Sequence, residues 1–425
     1  MSDMNRTGPD RAEAFAAFGR IGLLSFGGPA AQISLMHRVL VDEKGWLTEK
    51  QYLNALSFCM LLPGPEAMQL ATYAGWRLHG VAGGLMAGLL FVLPGAAVVL
   101  TLAVIYAIWG SVPLVSALFL GVKAAVLIIV IEALLKVSRR ALKGTSHWII
   151  AGLAFIAIFF LALPFPLIIG LAAQYGFIFA GRERGDAAVP VSVRPLRTLG
   201  TVLVWLIIWL VPLLLIGQLS GFPVLGEIGL FFSKLAVVTF GGAYAVLAYM
   251  AQDVVTGFGW LTAVEMMDGL GLAETTPGPL ILVTEFVGFI AAFREGGIGL
   301  GLAGALVTLW ATFAPCFLWI FTGAPYIEWI SAQPRLSGAL AAITAAVVGV
   351  ILNLSIWFGL HVLFRTVTLE QVGPLTLWQP ELGTLDPAVL TLSIIAAVLL
   401  LNLHWSLFRV LAFSALGGLL LSSAV

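Results

Sequence analysis

The sequence predicts an all-α polytopic membrane protein with about thirteen transmembrane spans, arranged as two inverted-topology repeats with broken helices. Three observations support this fold class: an apolar composition, long uncharged runs and an internal duplication. Of the 425 residues, 60% are hydrophobic and 10% are charged. A soluble domain carries about 25% charged residues, so a water-soluble chain could not cover itself with so few. The lipid bilayer must therefore form part of the solvent.

Charge and motif content exclude several functional classes. Lys and Arg number 21 and Asp and Glu also number 21, so no net basic charge favours nucleic acid. Cys59 and Cys316 each stand alone in an apolar run, which is typical of small core residues. The sequence has no Cys/His spacing typical of metal sites and no phosphate-binding or dinucleotide-binding fingerprint. We therefore expect no metal, no cofactor and no nucleic-acid partner.

Apolar runs long enough for a span, or for a hairpin of two half-helices, occur along the whole chain. A polar linker, 181–197, separates six of them from the rest. We divide the chain into an N-terminal repeat, 1–180, a basic linker with an inverting span, 181–217, and a C-terminal repeat, 218–425. The predicted runs are 14–36, 52–76, 80–109, 112–135, 147–162, 165–180, 199–217, 227–250, 264–292, 298–327, 334–363, 387–402 and 405–422.

The two halves are homologous. A shift of 214 residues superimposes Phe26-Gly27-Gly28 on Phe240-Gly241-Gly242 and Pro63-Gly64-Pro65 on Pro277-Gly278-Pro279. No gap is needed from residue 18 to residue 65, and 15 of those 48 positions are identical. Further along, an insertion raises the offset to 221. Such agreement indicates an internal duplication.

The number of spans between the repeats decides their relative orientation. Six spans return the chain to its starting side, and the extra span 199–217 then inverts the second half. Basic residues cluster in 136–143 and 182–197, both on the side of the N-terminus, and positive loops stay inside. We therefore predict a multi-pass protein of the bacterial plasma (inner) membrane, with a cytoplasmic N-terminus and an external C-terminus.

Pro63-Gly64-Pro65 and Pro277-Gly278-Pro279 interrupt apolar runs. Two prolines within three residues break a helix, and broken backbone at membrane depth persists only in a cavity or a protein interior. The half-helix that follows directs free N–H groups and the positive end of its dipole into the gap, which favours an anion. A packing kink is the alternative. The repetition at matched positions favours a binding site, in which we include these six residues and Thr276.

Phe26-Gly27-Gly28 and Phe240-Gly241-Gly242 form a second matched pair of interruptions. Adjacent glycines loosen a helix and let a ligand or another backbone approach closely. A hydroxyl side chain precedes each pair. Close packing of helices through small residues is the alternative explanation. The candidate site takes from these segments Ser25, Gly27, Gly28, Thr239, Gly241 and Gly242.

Three cations are candidate ligands for an anion. Arg20 and Lys234 occupy matched positions, and charges inside a membrane are costly and usually functional. Both also lie near span ends, where a long side chain can extend to the interface instead. Lys123 lies deeper, within the run 112–135, and Glu132 is about 14 Å away along a helix, too far to pair with it.

Acidic and amide side chains accompany the breaks. Glu66 and Gln69 follow the first Pro-Gly-Pro segment. Gln69 could donate a hydrogen bond to an oxyanion, whereas Glu66 could carry a proton or cap its half-helix. Asp268, Glu274 and Glu285 in the second half have the same two interpretations.

These segments resemble the chromate ion transporter family in its two-domain form. The similarity rests on residues 18–29 with their Ser-Phe-Gly-Gly-Pro, on Gly45-Trp46-Leu47-Thr48, and on Leu62-Pro63-Gly64-Pro65 leading to Gly75-Trp76-Arg77. It recurs more weakly from residue 232 to residue 315 and covers essentially the whole chain. One departure is His37, where the family often has an acid.

The resemblance implies a transporter of a tetrahedral oxyanion, and chromate efflux by alternating access, with chromate resistance, is the expected function. Sulfate is the alternative substrate, and coupling to protons is a hypothesis. A membrane-embedded enzyme acting on lipid-linked phosphates is less favoured, because the five histidines are scattered near predicted span ends. Besides the substrate and the bilayer, the sequence leaves open a second copy of the chain as a partner, in a homodimer.

Overall fold

The structure is a computed structural model, and it describes residues 9–26, 28–110, 112–179, 195–240, 243–327, 330 and 333–422. Its helices are α1 (Arg11–Leu24), α2 (Gly28–His37), α3 (Glu49–Leu61), α4 (Glu66–Trp109), α5 (Pro113–Ala141), α6 (Thr145–Phe159), α7 (Phe165–Phe179), α8 (Pro195–Leu219), α9 (Pro223–Val238), α10 (Ala243–Gln252), α11 (Ala263–Thr275), α12 (Val283–Gly323), α13 (Pro334–Leu363), α14 (Pro387–Ala397) and α15 (Leu407–Ser422). An antiparallel hairpin, β1 (Val367–Val372) and β2 (Leu375–Pro380), follows α13. The protein is therefore helical as predicted, with one small hairpin in addition.

Five helices of the described chain are long and apolar enough to cross a bilayer: α4, α5, α8, α12 with its short flanking turns, and α13. The helices α6, α7, α14 and α15 are apolar but shorter. The long apolar helices thus agree with the multi-pass helical membrane protein that the sequence predicts.

The shift of 214 residues also superimposes Trp46-Leu47-Thr48 on Trp260-Leu261-Thr262, and these two segments begin the half-helices that lead to the Pro-Gly-Pro breaks. Thr48 accepts a hydrogen bond from the backbone N–H of Gln51, whose side chain caps Thr48 in return, at the start of α3. Thr262 and Glu265 form the same capping box at the start of α11. Each box satisfies two of the free N–H groups at a helix start, so a local sequence signal fixes where each half-helix begins.

The long helices α4 and α12 each fold back on themselves. In α4 the backbone leaves helical geometry at His79 and Gly80, where Gly80 has φ +64°. A Cβ on Gly75 would lie 2.2 Å from the carbonyl oxygen of Gly83, whereas eight residues of straight helix span about 12 Å. The two arms, α4a (66–78) and α4b (81–109), are therefore antiparallel neighbours.

The helix α12 bends in the same way at Gly296 and Gly297, which has φ +72°. A Cβ on Gly304 would lie 2.3 Å from the carbonyl oxygen of Gly288. Its arms are α12a (283–295) and α12b (298–323). Glycine is required at these crossings because any side chain would separate the two arms.

The predicted run 14–36 is not a single crossing. Lys44 pairs with Glu13 at 2.8 Å, and Arg20 pairs with Glu43 at 2.9 Å. After the break at residues 25 and 26, α2 thus returns to the end of the molecule where α1 begins. We call this end the N-terminal face.

The predicted run 264–292 also doubles back. Arg294, near the end of α12a, donates hydrogen bonds to the carbonyl oxygen of Trp260 and to Glu265, at the start of α11. The span total of about thirteen counted both runs as crossings, and the structure corrects these two.

The last helices of each half pack against the other half. A Cβ on Gly121 of α5 would lie 1.7 Å from the carbonyl oxygen of Ser414 on α15. On α13, a Cβ at Gly349 would lie 2.2 Å from the carbonyl oxygen of Ala151 on α6. Because lipid provides no hydrophobic force between helices, such close backbone approach is the main source of packing energy. The two halves therefore interlock around the centre.

Candidate functional site

The four helix breaks meet at the centre of the molecule. The backbone N–H of Gly64, in the first Pro-Gly-Pro, donates to the carbonyl oxygen of Thr239 at 2.8 Å. The backbone N–H of Gly278, in the second Pro-Gly-Pro, donates to the carbonyl oxygen of Ser25 at 2.7 Å. Each Pro-Gly-Pro break is thus bonded to the glycine-pair break of the other half. The described sequence-predicted residues of both kinds of break lie together, and Gly27, Gly241 and Gly242 lie outside the described residues.

The two predicted hydroxyl groups are buried at this junction but are already used as donors. Ser25 Oγ donates to the carbonyl oxygen of Ile21 at 2.6 Å, and Thr239 Oγ1 donates to that of Leu235 at 2.6 Å. Both therefore satisfy the end of their own helix. In this state neither hydroxyl proton points at a ligand.

Gln32 is a member of the junction that sequence reasoning missed. Its Nε2 donates to the carbonyl oxygen of Gly278 at 2.7 Å, which fastens α2 of the first half to the break of the second half. Gln69 Nε2 donates to the carbonyl oxygen of Pro63 at 2.7 Å. The Oε1 atoms of both glutamines are buried without a hydrogen-bond partner among the residues that the structure describes. The only sequence signal for Gln32 was its place just after the first break.

A cavity of about 20 Å³ lies between the breaks, enough for about one water molecule. Glu66, in the first turn of α4a, lines it, and a carboxylate is favoured by the helix dipole there. An oxyanion would require the walls to separate, so the structure shows a closed arrangement. The lining residues are Pro29, Gln32, Gly64, Pro65, Glu66, Ala67, Thr239, Pro279, Leu280 and Ile281.

Two of the three predicted cations lie outside the junction. Arg20 is half-exposed and pairs with Glu43 on the N-terminal face. Lys234 is exposed, and its ammonium lies 5.6 Å from the ring centre of Tyr249. These contacts favour the interface interpretation of both residues. Thr276 is buried and donates to the carbonyl oxygen of Ala273, at the end of α11.

Lys123 has a buried partner that sequence reasoning did not assign to it. Its Nζ lies 3.1 Å from Asp268 Oδ1, and Tyr106 donates to Asp268 Oδ2 at 2.7 Å. The side chains of Lys123 and Asp268 are only 17% and 5% exposed. These residues come from α5, α11 and α4b, so the group joins both halves. Lys123 and Tyr106 precede Asp268 by 145 and 162 residues in the sequence. No local sequence pattern reveals contacts at such separations.

The acidic residues of the second half differ in their surroundings. Glu274 is buried and accepts a hydrogen bond from the hydroxyl of Tyr244 at 2.8 Å. Glu285 is fully buried, and neither carboxyl oxygen has a hydrogen-bond partner in the described part of the chain. The structure thus separates residues that the sequence treated alike.

His37, the departure from the family pattern, belongs to the N-terminal face. Its Nε2 lies 2.6 Å from Glu49 Oε2 and its Nδ1 lies 3.4 Å from Asp42 Oδ2. The hydrogen bond with Glu49 raises the pKa of His37 above its ordinary value. The residue fastens the end of α2 to the start of α3 and lies away from the helix breaks.

A family model described as chromate transporter matches residues 12–177 and 226–420. The chain belongs to the chromate transporter family. It is 30% identical to a probable chromate transport protein of Synechococcus elongatus, over 90% of this chain and 93% of that one. Chromate transport proteins of Cupriavidus metallidurans and Pseudomonas aeruginosa are 31% and 32% identical, over 79% and 80% of this chain and 79% of each relative. No solved structure matches the chain significantly.

Both parts of the family match contain one Pro-Gly-Pro break and one glycine-pair break. The family is one of transporters by name, and the apolar helices agree with a multi-pass membrane protein. Among the described residues no group of three or more His, Cys, Asp or Glu could hold a metal ion.

Proposed function

We propose that this chromate transporter family member exports chromate by alternating access, with its substrate site at the junction of the four breaks. The reciprocal bonds from Gly64 to Thr239 and from Gly278 to Ser25 carry the proposal. Rocking one half against the other must break both bonds, which frees two backbone N–H groups and two carbonyl groups at once. The family match and the chromate relatives support chromate as the substrate.

The ligands would come from backbone and amide groups. In the proposed open state, the N–H groups at the starts of α4a and α12a face the anion together with the rotated amides of Gln32 and Gln69. Pro63, Pro65, Pro277 and Pro279 hold those starts in place because each fixes its own φ. Ser25, Gly28 and Thr239 complete the walls, and Glu66 keeps its proton throughout the cycle, since two negative groups cannot share a dry site.

The inverted-repeat arrangement has support in the contacts. The start of α8 meets the end of α12, where Thr198 and Tyr326 are hydrogen-bonded at 2.7 Å. The other end of α8 meets the beginning of α9, where a Cβ on Gly217 would lie 3.0 Å from Gly226 Cα. The helix α8 therefore runs from the end of α12 to the beginning of α9 before the second half begins. We propose halves bounded as 1–180 and 218–425, inverted by residues 181–217.

Transport itself is tested in inside-out vesicles. Vesicles that contain the protein are expected to accumulate labelled chromate, and an imposed pH gradient is expected to increase the rate because the proposed cycle exchanges protons. Labelled sulfate in a parallel assay shows whether the alternative substrate is moved instead. Vesicles without the protein provide the background rate. No protein-dependent movement of either oxyanion, with or without the gradient, would contradict the proposed function.

The proposed orientation predicts a labelling pattern in intact cells. In a variant with Cys59 and Cys316 replaced, single cysteines at Lys44 and Lys143 should resist a membrane-impermeant maleimide, because both positions would be cytoplasmic. A cysteine at Glu370, in the β-hairpin, should react from outside. Permeabilised cells should label all three. Equal labelling of the three positions in intact cells would contradict the inverted arrangement.

A further inference from the structure

Glu285 is a buried acid without a partner. The residue is 0% exposed, and neither carboxyl oxygen has a hydrogen-bond partner in the described ranges. An ionised, unpaired carboxylate is strongly disfavoured in such a place, so the group carries a proton in this conformation. The substrate junction described above makes no use of this proton.

Thr312 faces Glu285 across the α12 hairpin. A Cβ on Gly288 would lie 1.9 Å from Thr308 Oγ1, so these two positions are opposite each other in the two arms. Residues three or four apart lie on the same face of a helix. Glu285, three residues before Gly288, and Thr312, four residues after Thr308, therefore share the faces on which Gly288 and Thr308 meet. Both therefore lie at one level between the arms. Thr312 Oγ1 is also buried without a hydrogen-bond partner in the described chain.

The helix α9 adds a third polar group at this level. A Cβ on Gly229 would lie 3.4 Å from Val307 Cγ1, which places Ser233, one turn later, beside the next turn of α12b. Ser233 Oγ is again buried and unpaired among the described residues. Buried unpaired polar groups are rare and require an explanation, and here three occur on neighbouring segments. We call Ser233, Glu285 and Thr312 the acid cluster.

The first half has no acid at the position matched to Glu285. The contact of Gly288 with Gly304 recurs as the contact of Gly75 with Gly83, which matches Glu285 with the neutral Thr72. At the repeat offsets of 214 and 221, Ser233 and Thr312 match the apolar Gly19 and Phe91. The helices α1 and α4 pack against each other as α9 and α12 do. The buried carboxyl group is therefore an addition to the second half.

Other charged groups on the helices around Glu285 do not neutralise it. Asp268 is engaged by Lys123 and Tyr106, Glu274 by Tyr244, and Glu265 by Arg294. Glu227 and Lys234 of α9 and Glu295 of α12a are exposed.

We propose that Glu285 is the coupling-proton site of this transporter, with Ser233 and Thr312 donating to the carboxylate in the brief ionised state. The proposal rests on the proposed function. Glu285 lies six residues after Pro279, about 9 Å along the chain if helical, so α12a links it to the second break. The carboxyl group binds one proton from one side and releases it to the other as the junction opens and closes.

The test compares two transport modes in reconstituted vesicles. Glutamine keeps the shape of the side chain but cannot exchange a proton. The Glu285→Gln variant should lose all acceleration of chromate transport by a pH gradient, and chromate should no longer move protons. It should still exchange internal for external labelled chromate at the wild-type rate. Glu285→Asp should retain coupling, and Glu295→Gln, an exposed acid on the same segment, should behave as wild type.

The outcomes are separable. Coupling that survives in Glu285→Gln overturns the proposal, and so does loss of exchange together with coupling in a folded variant. Wild-type vesicles that move no oxyanion would instead contradict the proposed function. In that case infrared spectroscopy of the purified protein still applies. The C=O band of a protonated carboxyl should be present in the wild type and weaker in Glu285→Gln, and an unchanged band would overturn the protonated state.

Discussion

Gly64→Ala is expected to slow transport strongly in a protein that still inserts and folds. Gly64 has φ +114°, which an L-residue with a side chain rarely adopts. The new Cβ would also lie 2.9 Å from Gln69 Nε2 and 3.0 Å from Cys316 Sγ. Backbone strain of this kind costs about 1–3 kcal/mol, and relaxing it moves the N–H away from Thr239. Since 1.4 kcal/mol is about a factor of ten in rate, this strain corresponds to a loss of about fivefold to 150-fold.

A second glycine separates strain at the junction from strain in general. Gly221 has φ +72° and no heavy atom within 4 Å of an added Cβ. Gly221→Ala therefore carries a similar backbone penalty far from the breaks, and transport per folded molecule should remain near wild type. The measurement is chromate exchange normalised to monodisperse protein in detergent. Equal transport in the two variants would show that the Gly64 junction is not part of the transport cycle.

The breaks were accessible to sequence reasoning because their cause is local. Proline and glycine act on their own backbone, and the duplication doubled each signal. The sequence therefore assigned both kinds of break to one candidate site, and in the structure Gly64 is bonded to Thr239 and Gly278 to Ser25. The same logic located the Trp-Leu-Thr segments, which became capping boxes at Thr48 and Thr262.

The direction of the chain after each break was not accessible. An apolar run such as 14–36 has the same hydropathy whether it crosses the bilayer or turns back at its middle. The ion pair between Glu13 and Lys44 decides the matter, and it depends on tertiary structure. The β-hairpin after α13 was missed for another reason: its strands are short and mostly exposed, so they lack an apolar signal.

The site residues whose surroundings depend on tertiary structure were likewise not accessible from the sequence. Arg20 and Lys234 were selected by matched position, but burial decides function for a cation, and burial requires the fold. Gln32 lies 246 residues from Gly278, whose carbonyl oxygen it binds. Contacts at such separations carry no sequence pattern within one chain, so no reading of local motifs could assign them.

The pair of Lys123 and Asp268 should show a large stability effect that a double substitution reverses. Lys123→Gln alone leaves a buried carboxylate with Tyr106 as its remaining partner, and Asp268→Asn alone leaves a buried ammonium. Removal of one member of a buried ion pair costs about 3–5 kcal/mol, whereas removal of both charges is often neutral. Thermal unfolding in detergent should therefore show two destabilised single variants and a double variant close to wild type.

Transport by the stable double variant then decides what Lys123 does. If its ammonium binds the oxyanion, as predicted from the sequence, the double variant should be folded but inactive, because the charge is gone. If the pair only fastens α5 to α11, transport should return with stability.

A matched control exists on the same helix, where Lys136 and Glu132 pair at 2.7 Å with Lys136 68% exposed. Neutralising those two residues should change stability by at most about 0.5 kcal/mol. Single variants at Lys123 and Asp268 that unfold at the wild-type temperature would contradict the buried pair itself, and with it the link between the halves that it provides.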